Sequence, residues 1–171
     1  MRLRRAAPAQ ERWLAAVLAL LAVGLAAVAL LGPFASGVIE YHVTATLRNQ
    51  TIGLDAVSLF VVAPLACAAA ALVLRGRVLG PALALGTGAY TSYMFVQYIL
   101  GPEYERLPGN NQRLFPLALL LFAAGWIVAL LAWNMIDVER LPRSGRRREL
   151  VIGRVALPVL ALVAFVRYVR D

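Results

Sequence analysis

Residues 114–136, LFPLALLLFAAGWIVALLAWNMI, run for 23 positions without a charged side chain. A helix needs about 20 such residues to cross ~30 Å of hydrocarbon at 1.5 Å per residue. In a soluble domain a helix of this length would carry a polar face, and this stretch has almost nothing to build one from. Working outward, residues 13–34, 56–74 and 78–102 are also free of charge. The chain therefore reads as all-α, a polytopic transmembrane helical bundle.

The breaks between runs are chemically marked. Gly32-Pro33 closes a first helix over 13–31, because proline removes a backbone donor and clashes with the preceding turn. Arg75-Gly76-Arg77 separates a second helix, 54–74, from a third, 78–100, and so short a turn makes the two antiparallel neighbours. Gly101-Pro102 ends the third, and a fourth spans 114–134 with Pro116 in its first turn, where proline is tolerated. A fifth helix is expected over 151–169. Only 155–166 is uncharged there, about 18 Å of helix, so Arg154 and Arg167 must snorkel to opposite interfaces. Within the first loop, residues 38–46 mix β-branched and aromatic side chains, which fits a short extended segment or a loop on the membrane surface. No loop is long enough to bury a core of its own, so residues 1–171 are expected to form one membrane domain.

All seventeen basic residues are arginine. With the amino terminus in the cytoplasm, twelve of them (2, 4, 5, 12, 75, 77, 140, 143, 146, 147, 148 and 154) lie inside and five (48, 106, 113, 167 and 170) outside, the asymmetry of the positive-inside rule. If the fifth segment instead lay on the surface, the ratio would become fourteen to three. The net charge of +8 is thus assigned to anionic lipid head groups at the cytoplasmic arginines rather than to nucleic acid. Met1-Arg2-Leu3-Arg4-Arg5 before an apolar run imitates a signal peptide. The run exceeds a 7–15-residue h-region, so it reads as an uncleaved first membrane helix.

Absent residues exclude chemistry. Without lysine there is no Schiff base; with His42 as the single histidine there is no bis-histidine haem within one chain; with Cys67 alone there is no intrachain disulfide or thiol redox pair. No catalytic residue, cofactor or metal is expected. Cys67 reads as a small buried filler. The alanines of the first two helices (Ala15, Ala16, Ala19, Ala22, Ala26 and Ala68 to Ala71) and Gly24 read as packing within the chain, with a membrane-protein partner or a homo-oligomer left open.

One polar constellation stands out. Asp55 begins the predicted second helix, with Ser58 at i+3; on the third, Tyr90, Tyr93 and Gln97 share an arc of about 60° at 100° per residue. Asp55, Ser58, Tyr90, Tyr93 and Gln97 are expected to line one outward-opening pocket for a ligand or proton, with His42, Glu103 and Glu105 above it. The competing reading is structural: a carboxylate at a helix start caps free N–H groups and meets the helix dipole, and tyrosines near an interface are belt residues. Gly53-x-Asp55, Pro64-Leu65, Arg75-Gly76, Tyr90-x-x-Tyr93, Tyr98 and Gly101 resemble the pattern of a group of bacterial multi-pass membrane proteins over roughly residues 50–101. The resemblance implies a bacterial cytoplasmic (inner) membrane and carries no activity. Function is therefore expected to be that of a non-enzymatic accessory, assembly or interaction subunit, with a small-solute or proton-linked permease or receptor as the alternative.

Overall fold

The computed structural model describes residues 8–136 together with 154, 155, 158 and 159. The chain, expected as one domain, clusters into two compact units, Met1–Arg140 and Leu141–Asp171. The predicted fifth helix falls in the second and, apart from those four residues, outside the described part.

Four helices build the first unit: α1 (Pro8–Leu31), α2 (Ala45–Leu74), α3 (Leu79–Leu100) and α4 (Phe115–Met135), the last entered through a 3-10 turn at Asn111–Leu114. They alternate in direction. Each packs on its neighbours in sequence, α4 closes back onto α1, and α1 and α3 face each other across the diagonal. No strand occurs among the described residues, so residues 38–44 are loop and 45–46 are already helix.

The core is a set of narrow seams. In α1 the buried Leu14, Leu18, Leu21, Leu25 and Val28 repeat at alternating intervals of four and three, the spacing of interlocking helices. Opposite them the side chains are small, and the Leu121 side chain sits in the notch left by Gly24. Helices α3 and α4 approach one another closely. A Cβ at Gly88 would come within 2.7 Å of the Gly125 carbonyl oxygen, and one at Gly125 within 2.9 Å of the Gly88 carbonyl oxygen, so these backbones meet with nothing between them. The sequence placed the small-residue packing in the first two helices, where Gly24 does take the Leu121 side chain; α3 and α4 add a second such contact at Gly88 and Gly125.

Apolar side chains also cover the outside. Trp13, Val23, Phe60, Leu130 and Trp133 are each at least 59% exposed, which water would not favour over five separate positions on three helices. Helices α1, α2 and α4 are long and apolar enough to cross a membrane. Such helices suggest a membrane protein. Helix α3 has the length but is more polar, with Thr87, Thr91, Ser92, Tyr90, Tyr93 and Gln97 along it. Cys67, read as a buried filler, is exposed on the outer face of α2.

Two local devices shape α2. At its carboxyl end Gly76 takes a left-handed φ of +62°, Arg77 N donates to Leu72 O and Gly76 N to Val73 O, a Schellman closure that only glycine enters without strain. In mid-helix a π turn spans Ser58–Val62, and Ala63 N donates back to Ser58 O. Its cause lies next door: Pro64 has no N–H, and its ring crowds the carbonyl four residues earlier, so the helix widens by a residue.

Candidate functional site

Helix α2 starts at Ala45, nine residues before the predicted Leu54. Thr44 is its cap, with Oγ1 accepting from Leu47 N at 3.5 Å, and the added turns carry Arg48, Asn49 and Gln50, too polar to register as a membrane run. The consequence for Asp55 is direct. It does not begin a helix, and the capping explanation fails: it lies about three turns inside α2, fully buried.

What holds Asp55 is Tyr98. The Tyr98 hydroxyl donates to Asp55 Oδ1 at 2.8 Å and lies 3.4 Å from Thr51 O. Asp55 Oδ2 has no hydrogen-bond partner among the described residues. It rests against the end of α1, where a Cβ on Gly32 would come within 2.6 Å of it and 3.1 Å of Val28 O, so residue 32 has no room for a side chain. Tyr41, from the first loop, packs against Tyr98 with ring centroids 4.8 Å apart and the rings tilted by 52°. Among the described residues its buried hydroxyl has no partner of hydrogen-bond geometry, and burial pushes its pKa above the ordinary phenol range, so it keeps its proton.

One turn deeper Ser58 and Tyr90 meet. Ser58 Oγ is 2.7 Å from Leu54 O, 3.2 Å from the Tyr90 hydroxyl and 3.0 Å from Met94 Sδ, and Tyr90 also reaches Leu54 O at 3.3 Å. Tyr93 is 58% exposed and turns away from this cluster; its hydroxyl accepts from Gln97 Nε2 at 2.7 Å. The five expected site residues thus do not share one pocket. Asp55 sits behind Tyr98, Ser58 and Tyr90 bond each other below, Tyr93 faces outward, and Gln97 alone lines a cavity.

That cavity measures about 380 Å³ and opens between the first turns of α2 (Leu47, Gln50, Thr51, Leu54), the last turns of α3 (Val96, Gln97, Tyr98, Leu100) and the loop residues Tyr41, Val43, Gly101 and Pro102. Sequence reasoning missed Tyr41 and Tyr98. The signal for Tyr98 was the ridge Tyr90, Met94, Tyr98 at i, i+4, i+8: relative to Tyr90 it lies about 80° to one side, whereas the arc through Gln97 and Tyr93 goes the other way. Nothing in the sequence announces Tyr41.

The loops over this end are locked together. Asn110 behaves as a short strand: its Oδ1 accepts from Glu40 N at 2.8 Å, its Nδ2 donates to Val38 O at 3.0 Å, and its own N donates to Glu40 O at 2.9 Å. His42, expected above the pocket, is buried in this lock instead. Its Nδ1 faces Leu107 O, which can only accept, so Nδ1 carries the proton; Nε2 lies 2.8 Å from the Gln112 carboxamide. Glu103 and Glu105 are exposed, and Glu103 pairs with Arg106 at 3.8 Å.

Comparison with protein-family models, with curated proteins and with solved structures returns no match, so the reading of this site rests on its own geometry.

Proposed function

We propose that this chain is a multi-pass protein of a bacterial cytoplasmic membrane, with five membrane helices and its amino terminus inside. We further propose that it serves as a non-enzymatic accessory, assembly or interaction subunit. The observation that carries the role is the absence of a polar path along the described bundle. Buried Thr87, Thr91 and Ser92 each give their hydroxyl to a backbone carbonyl (Ala84 O, Thr87 O and Phe122 O), and beside them Gly88 and Gly125 close the interior backbone to backbone. A solute or proton moving through would need polar groups facing one another at that depth. The twelve-to-five arginine asymmetry supports the orientation. A receptor is the second reading, favoured by the cavity and the buried Asp55–Tyr98 pair.

Asp55→Asn separates the two. The amide keeps an acceptor for Tyr98 while removing the carboxylate, so the accessory reading expects an unchanged cellular phenotype and an unchanged membrane partner after purification in mild detergent. Loss of the phenotype in a folded, partner-bound Asp55→Asn protein would put the receptor in its place. Topology is tested by Gly76→Cys in a Cys67→Ala background. A membrane-impermeant thiol reagent added to intact cells is expected not to label it, and ready labelling would reverse the orientation.

A further inference from the structure

Among the described residues Asp55 is the one carboxyl group that is buried, and its two oxygens sit in different surroundings. Oδ1 accepts from the Tyr98 hydroxyl at 2.8 Å. Oδ2 has essentially no surface open to water and, among the described residues, no hydrogen-bond partner. The end of α1 closes directly on it, since a Cβ on Gly32 would lie 2.6 Å from Oδ2. The Val28 carbonyl oxygen borders the same notch, 3.1 Å from that Cβ.

No positive charge among the described residues answers this carboxyl. Around it α1 brings Val28 and Gly32, α3 brings Tyr98 and, one turn deeper, Tyr90, and the first loop brings Tyr41 behind Tyr98. The titratable groups in that set are all phenols. On α2 itself Arg48, two turns earlier, is exposed, and the one ion pair among the described residues joins Glu103 to Arg106. A carboxylate here would be a buried charge without a counter-charge, beside the partial negative charge of a carbonyl oxygen. That costs far more than a neutral, hydrogen-bonded acid. A water molecule or a metal ion needs room, and a proton needs none.

We infer that Asp55 is a proton-binding site that latches the loop end of the bundle. Its carboxyl is held as the neutral acid, with Oδ1 the carbonyl oxygen that accepts from Tyr98 and Oδ2 the hydroxyl turned toward α1. The bound proton lets the end of α1 close on α2, so this seam tightens as the pH falls and loosens as it rises. The latch goes beyond the accessory role and does not depend on it.

The test is the infrared spectrum of the full chain near neutral pH in dodecyl maltoside, a detergent without ester carbonyls. Solvated carboxyl groups are ionised there, so a protonated-carboxyl C=O band reports a buried acid. The wild type is expected to show the band and Asp55→Asn to lack it. Tyr98→Phe should keep the band and move it to higher frequency, because Oδ1 loses the hydrogen bond that weakens its C=O bond. That variant carries the test should Asp55→Asn fail to fold. Unfolding exposes the carboxyl, which then ionises, so the wild type releases one more proton on unfolding than Asp55→Asn. From about pH 5 to about pH 7 its unfolding equilibrium constant should rise about tenfold per pH unit relative to that of the variant. Replacing sodium by choline in the buffer should change neither result. A wild-type spectrum without the band, a band that survives in Asp55→Asn, parallel pH profiles, or a sodium-dependent stability would each overturn the proposal.

Discussion

The two ends of the α2–α3 pair are built on opposite principles. By the Arg75–Arg77 turn the helices meet through backbone, with Gly80 against Val73, and the same closeness continues sideways at Gly88 and Gly125. At the loop end they meet through long side chains with polar tips, and a cavity opens between them. Backbone contact in lipid gains dispersion and gives up every adjustable degree of freedom. Contact through tyrosines leaves space, and the buried oxygens it draws in need partners. The difference teaches where a small bundle can afford a site: where its helices are spaced rather than fused.

The sharpest way to break the contrast is to put bulk into the fused region. Gly88→Val meets the Gly125 carbonyl and Ala129 N, both backbone, so neither side can yield. A loss of about 3 kcal/mol is expected, at the upper end for overpacking, read from thermal unfolding in detergent. A tolerated Gly88→Val would mean that α3 and α4 are not packed as described.

Next comes the spaced region. Tyr98→Phe strips Asp55 of its only hydrogen bond among the described residues, and a buried orphan of this kind costs ~1–3 kcal/mol. Tyr93→Phe removes the same atom from an exposed ring and is expected to stay within ~0.5 kcal/mol. Equal effects of the two would erase the distinction between the tyrosine that the fold uses and the one that the sequence pointed to.

A smaller effect than that of Tyr98→Phe belongs to the loop lock. Asn110→Ala removes two side-chain hydrogen bonds at a partly exposed site, for about 1 kcal/mol in total. Its signature is local: the Glu40 amide should lose protection from hydrogen exchange while amides in the middle of α1 keep theirs. Loss of protection throughout would show that the lock holds the whole bundle together.

Much of the architecture was legible because hydrophobicity is a local property. Uncharged runs located α3 and α4 to within a residue or so, and Gly76 between two arginines announced the tight turn. The start of α2 was hidden because Arg48, Asn49 and Gln50 interrupt the apolar signal, while the Thr44 cap that begins the helix is a single residue.

By itself the sequence determined that this chain folds as apolar helices, where they turn, and which chemistries it lacks. Only the tertiary structure decided which polar groups meet. The rotation of α3 about its axis is set by Gly88 and Ser92 seating on Gly125, a contact between backbones. That rotation turns Tyr98 inward to Asp55 and leaves Tyr93 outside. A hydroxyl finds its partner through the packing of residues far from it in sequence, and no local pattern carries that information.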